Sequence, residues 1–248
     1  MFLEHPTFEL PADEGVKIWR YMDFTKLVSI LDQEALYFAR TDTFEDPFEG
    51  SSPRSNILAR QIVPPNVPPG GEASYLTQMA RMGEFMDNLR KHVFVSCWHL
   101  NESESAAMWK LYLKSGEGIA IQSTVGRLKS ALQPADTLHI GMVKYIDYDK
   151  EAIAARNALT PIVHKRKSFE HERELRAVVV RWPSDGAFGA GVVDQGIAVK
   201  VDLDLLIEGI FLAPRTAPWL SVLISNVLKK YGRNTPLHQS RLDDRPLF

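Results

Sequence analysis

Along the first forty residues the apolar positions change period twice. Lys17–Met22 (KIWRYM) is short and rich in strand formers; Phe24, Leu27, Val28 and Leu31 then recur at helical spacing; Leu36–Ala39 returns to strand. The unit reads strand, helix, strand. A turn-rich box follows at 41–51 (TDTFEDPFEGS), where the Asp46-Pro47 step favours a turn. The stretch 61–72 (QIVPPNVPPGGE) carries four prolines and two glycines and predicts a mobile loop or lid. A helix is expected after it, at about 73–91.

The second half predicts mostly strand: Val93–His99, Gly118–Gln122, His139–Ile146, Leu175–Val180, Ile197–Leu203 and Gly209–Ala213. Ser103 or Ser105 can cap a helix carrying Met108, Trp109 and Tyr112, with Gly116 ending it. A short helix is expected at about 149–159, stopped before Pro161. Pro218 is placed to open a last helix, with Leu220, Leu223, Val227 and Tyr231 as its buried stripe and Gly232 at its end. No internal repeat is present. The order predicts one α+β domain, a mainly antiparallel β-sheet with flanking helices.

Composition narrows the class. With 248 residues, 45% of them hydrophobic, the chain can bury a full core. A formal net charge of −2 leaves no electrostatic footprint for coating nucleic acid. Cys97 is the only cysteine, which excludes an intrachain disulfide or a multi-cysteine zinc site and fits a reducing compartment. The N-terminus, MFLEHPTFEL, has no basic stretch leading into an apolar run, and nothing approaches the length of a membrane-spanning segment. A cytoplasmic protein is expected, with no membrane partner.

The richest chemistry lies at 165–180 (KRKSFEHERELRAVVV). If a strand starts here, its period of two puts Glu172, Glu174 and Arg176 on one face and Leu175, Ala177 and Val179 on the other. Neighbouring carboxylates would sit roughly 6.6 Å apart along it, close enough to serve one small substrate or one metal ion. A salt-bridged rim is the plainer alternative. Elsewhere, Arg20 lies in Trp19-Arg20-Tyr21, either a surface cation or a ligand contact. Ser96 shares a face with Phe94 and Trp98, and a backbone partner alone would satisfy it. Asp46 and Glu49 stand in the EDPFEG turn, where Asp46 can simply form the turn. Cys97 and His99 share a strand face, a possible nucleophile–base pair or a plain core cysteine. The histidines show no metal-binding spacing, and no glycine-rich phosphate loop opens a helix.

These boxes together resemble a mostly bacterial family known only as domain of unknown function 2971. The residues that carry the resemblance are Trp19-Arg20-Tyr21, Leu36-Tyr37-Phe38, Glu45-Asp46-Pro47-Phe48-Glu49, Val95-Ser96-Cys97-Trp98, Met108-Trp109 with Tyr112 and Gly118, Val143-Lys144-Tyr145, and Lys167 leading to Phe169 and Glu172-Arg173-Glu174-Leu175-Arg176. Glu45 stands where that family usually has Asn, and Phe169 where it usually has Trp. A weaker similarity, Arg20 then Ser96 then Glu172-Arg173-Glu174 in chain order, is to arginine–serine–glutamate ADP-ribosyltransferases. Ser96-Cys97-Trp98 departs from their Ser-x-Ser.

That similarity implies an ADP-ribosyltransferase-like fold, NAD as the nucleotide, and cleavage of its nicotinamide–ribose bond with transfer to a macromolecular acceptor. It implies Glu174, Glu172 and Ser96 as catalytic, with Glu174 facing the ribose, Glu172 activating the acceptor and Ser96 orienting Glu174. Arg20, Tyr21, Trp109, Tyr112 and Arg176 would hold the cofactor, Arg20 through its pyrophosphate. Two other classes stay open. A magnesium-dependent phosphodiesterase or nuclease would use Asp46, Glu49, Glu172 and Glu174 as oxygen ligands, with Lys165 or Lys167 facing phosphate. A non-catalytic module would dock a partner protein on its acidic rim.

Overall fold

The computed structural model describes residues 2–112, 117–154, 157–183 and 194–246. β1 (Lys17–Asp23), α1 (Phe24–Gln33) and β2 (Ala35–Arg40) form the expected opening unit. Asp23 caps α1 by accepting from the Lys26 N–H, and Glu34 ends it in the left-handed region at φ 46°. Helices α2 (Arg54–Ala59) and α3 (Glu72–Leu89) follow, then β3 (Val93–Leu100), α4 (Ala106–Tyr112), β4 (Gly118–Thr124) and α5 (Val125–Ala131). The proline-rich stretch lies between α2 and α3 as turns, without helix or strand. The remaining elements are β5 (Leu138–Met142), β6 (Lys144–Ile146), β7 (His164–Arg166), β8 (Glu174–Val180), β9 (Gly196–Lys200), α6 (Leu203–Leu206), β10 (Gly209–Leu212), α7 (Pro218–Lys230) and β11 (Leu237–Gln239).

Among the described residues, nine strands make one sheet in the order β11-β10-β4-β1-β3-β2-β9, with β8 and then β5 added beside β3. Every pairing in it is antiparallel except β10 with β11. Strands β6 and β7 pair separately, in parallel. The fold is α+β with a mainly antiparallel sheet and flanking helices.

The sheet forks at β3. One edge of β3 pairs with β8 from Val93 to His99. The other edge is shared: β1 meets it only at His99 and Leu100, β2 only at Phe94 and Val95. Between those contacts β1 turns away to follow β4, and β2 to follow β9. Residues 96–98 therefore border a gap that two strands enter and neither closes.

Both faces of the central strands are covered. Leu175, Ala177 and Val179 of β8 join Ile18, Leu27, Phe38, Trp98, Leu220 and Ile224 in the larger core, while Val178 and Val180 pack with Leu89, Val93, Val95 and Ile162. Gly196 is required for contact: a Cβ there would stand 2.2 Å from the Tyr37 ring, which lies across β9 beside the fork.

Several expected elements differ. No helix forms among the described residues of 149–159; Lys150 and Glu151 close a turn on the Asp147 carbonyl, and the chain then runs irregularly. The expected strand His139–Ile146 breaks at Val143 into β5 and β6, which belong to different sheets. The tail of the strand expected over Ile197–Leu203 turns into α6, capped by Asp202. The buried stripe of α7 is Leu220, Ile224 and Leu228, which leaves Leu223 and Tyr231 exposed. Helices α2 and α5 had no counterpart in the pattern. Gly116 lies outside the described residues.

Candidate functional site

A cleft of about 520 Å³ opens at the fork. Its walls are β1 (Trp19 to Met22), one face of α1, Tyr37 of β2, β3 from Cys97 to His99, Tyr112 of α4, and the acidic pair Glu172 and Glu174. Arg20 bridges the gap itself. Its Nη1 donates to Ser96 Oγ at 2.6 Å, its Nη2 to the Tyr37 carbonyl at 2.9 Å, and the guanidinium lies 5.8 Å from the centre of the Trp98 ring. One cation thus ties β1, β2 and β3 together where no strand pairing does.

The acidic wall depends on one unusual residue. Glu172 closes a 3-10 turn (Lys167–Glu172), Glu174 opens β8, and Arg173 between them sits at φ 41°. A left-handed arginine is uncommon and strained. Here it lets both flanking carboxylates reach the same cation: Lys165 Nζ bonds Glu172 Oε2, lies 3.2 Å from Glu174 Oε1 and 3.0 Å from Glu49 Oε1. Arg176 completes the network, with Nε and Nη2 each 2.7 Å from Glu174 Oε2, Nη2 2.9 Å from Glu49 Oε2, and Nη1 donating to the Ile162 carbonyl. Arg176 is 0% exposed. The Glu174 N–H donates to the Tyr145 hydroxyl, which gives the β6 tyrosine a place at the site.

Three carboxylates share two cations, so one negative charge is in excess, and the proton affinities diverge accordingly. Burial, with the hydrogen bond and charge of Glu174, pushes Glu172 up to about 7 against the pull of Lys165. Burial would raise Glu174 as well, but Arg176 and Lys165 outweigh it and hold that carboxyl well below the usual range. Burial opposes the Lys165 charge, yet Glu174 and Glu49 keep the ammonium protonated. The cleft therefore offers one fixed carboxylate and one that exchanges its proton near neutrality. Such a divergent pair suits acid–base work.

No protein-family model matches the chain, and neither does any curated protein, so the expected membership of the unknown-function family gains no support there. Solved structures similar to the chain include Thermus sp. 2.9 DarT in complex with NAD+, at 9% identity and a TM-score of 0.42, over 92% of this chain and 97% of that one. The same protein in complex with ADP-ribosylated ssDNA matches at 12% and 0.42, over 93% and 96%. Its complex with carba-NAD+ matches at 11% and 0.39, over 93% and 98%. Likeness at this level bears on neither the function nor the site of this chain.

Of the residues expected at the site, Arg20, Tyr21, Tyr112, Glu172 and Glu174 line the cleft. Three do not. Ser96 lies on the other face of the sheet from Glu174, because Ser96 pairs with Ala177 while His99 pairs with Glu174. It seats Arg20 instead of orienting the glutamate. Trp109 is buried against Trp19, Tyr21 and Met108, and its Nε1 donates to Glu104. Arg176 sits behind Glu174, out of reach of a ligand. Glu172, expected on the strand, precedes it.

The oxygen ligands of the metal-dependent alternative are all engaged by side-chain cations. Lys165 occupies the space among Glu49, Glu172 and Glu174, and Asp46 pairs with Arg166 at 2.8 and 3.1 Å. Among the described residues no group of three or more His, Cys, Asp or Glu side chains is placed to hold a metal ion. Lys165, expected to face phosphate, is the centre of the acidic cluster, and Phe169 lies across it at 4.7 Å. Asp46 also makes its turn, accepting from the Phe48 N–H.

Cys97 and His99 both line the cleft but do not pair: the His99 Nδ1 bonds the Glu172 carbonyl, and burial with the charge of Glu174 pushes the thiol up to about 12. The roles of Lys165, Tyr37 and His99 were not apparent in the sequence. Only the clustering of Lys165 with Glu172 and Glu174 within ten positions hinted at one of them.

Proposed function

We propose that the protein binds NAD in the forked cleft and cleaves its nicotinamide–ribose bond, passing ADP-ribose to an acceptor. The observation that carries this reading is that Arg20, Glu172 and Glu174, from segments about 150 residues apart, line one cleft at the fork, Arg20 from the Ser96 side of the sheet and Glu174 from the other. Arg20 is held by Ser96 and the Tyr37 carbonyl, which leaves further N–H groups for the pyrophosphate. Tyr21 and Tyr112, stacked 6.4 Å apart, offer aromatic surface to a planar ring.

Breaking the bond sends its electron pair to the nicotinamide nitrogen and leaves positive charge on the ribose carbon. Glu174, ionised at any pH of interest, stabilises that charge. The acceptor's lone pair forms the new bond and its proton passes to Glu172, whose affinity near 7 suits a base. With water as acceptor the products are ADP-ribose, nicotinamide and a proton.

The test is nicotinamide release from labelled NAD, with protein, single-stranded DNA and water alone offered as acceptors. The wild type is expected to release nicotinamide, and Glu174→Gln to be slower by roughly 100-fold or more, the usual effect of removing one charge-stabilising group. Equal release by both proteins contradicts the reading.

A further inference from the structure

His99 stands at the closed end of the fork, where β1 and β8 both pair with β3: it is opposite Trp19 on one side and Glu174 on the other. It is 4% exposed, the residue lines the cleft, and its ring centre lies 6.2 Å from that of Tyr21. Nδ1 lies 2.6 Å from the Glu172 carbonyl oxygen, which can only accept, so Nδ1 carries a hydrogen. Burial disfavours the doubly protonated ring. In the neutral tautomer Nε2 then presents a bare lone pair, and no group among the described residues donates to it. Buried acceptors in folded proteins are paired as a rule, so a buried Nε2 without a partner, on a residue that lines the cleft, calls for a donor from outside the chain.

We propose that His99 Nε2 accepts a hydrogen bond from an N–H or O–H of the bound substrate, and that this contact selects for ligands carrying a donor there. The inference rests on the NAD reading above. In NAD the donor is either the carboxamide N–H of nicotinamide or a ribose hydroxyl. Because Nδ1 is held by the backbone of Glu172, a ligand on Nε2 is fixed relative to both glutamates, so the contact orients the ribose as well as recognising it.

Calorimetric titration of NAD, nicotinic acid adenine dinucleotide and ADP-ribose into the wild type, His99→Phe and His99→Gln tests this. His99→Phe keeps a ring without an acceptor and is expected to weaken NAD binding roughly tenfold, the worth of one hydrogen bond in a closed site. His99→Gln, whose amide oxygen can accept, is expected to recover part of that loss, which a packing defect would not. A loss confined to NAD, together with wild-type preference for NAD over the nicotinic acid dinucleotide, identifies the carboxamide. A loss shared with ADP-ribose identifies a ribose hydroxyl.

Nitrogen NMR of the wild-type ring needs no variant: NAD is expected to shift the Nε2 signal while Nδ1 stays protonated. Wild-type binding of NAD with no Nε2 shift, or with His99→Phe unchanged, overturns this inference alone. Wild type that binds none of the three ligands overturns the NAD reading and this inference with it.

Discussion

Glu172 shows how little of a residue's chemistry its identity determines. Two positions from Glu174 and bonded to the same lysine, it lacks one partner: Arg176 reaches Glu174 and Glu49 but not Glu172. Of the two, Glu172 therefore holds a proton more tightly. Its folded affinity, about 7, lies above that of the unfolded chain. As pH rises from the ordinary glutamate range towards 7, the unfolded chain has already released this proton and the folded protein has not, so stability falls across that window. Glu172→Gln is expected to flatten that fall in a series of unfolding curves. For activity the sign is opposite, since the base must be free: nicotinamide release should climb with pH about a midpoint near 7, and Glu172→Gln should lose both the rate and the midpoint. An unchanged midpoint in the variant contradicts the assignment.

At the scale of the element, β8 is the strand around which the site is arranged. Its period of two was legible: Glu174 and Arg176 do share a face, and Leu175, Ala177 and Val179 do face a core. Hidden from the pattern was that the polar face is buried as well, because what covers it comes from Glu49, 127 positions from Arg176. The left-handed turn at Arg173 was equally hidden, since an arginine does not advertise a positive φ as a glycine would. A guanidinium that neutralises two buried carboxylates should be hard to remove. Arg176→Leu leaves Glu49, Glu172 and Glu174 to share Lys165 alone and is expected to cost on the order of 3–5 kcal/mol in urea unfolding. A loss below about 1 kcal/mol, the scale of a surface pair, would mean the network is solvated.

The whole molecule turns a split in its sheet into a cleft. Strand order could not be read from the chain, because β3 receives β1, β2 and β8, and three-way pairing leaves no mark in local periodicity. The serine was misassigned for the same reason: chain order put Ser96 near Glu174, while strand register put them on opposite faces. Arg20 and the acidic pair do line one cleft, from opposite faces of the sheet. Arg20 was recognisable between strand formers, and the acidic pair because a run of strand formers follows it. Trp109, expected at the ligand beside Tyr112, is core, so aromatic content alone does not separate wall from interior.

The central claim is that Arg20 binds and Glu174 reacts within a single cleft. Steady-state nicotinamide release from NAD by the wild type, Arg20→Ala and Glu174→Gln separates the two roles. Loss of the phosphate clamp in Arg20→Ala is expected to act mainly on KM, and loss of the charge stabiliser in Glu174→Gln mainly on kcat. Wild-type protein that releases no nicotinamide, or variants that release it with wild-type constants, would contradict the account.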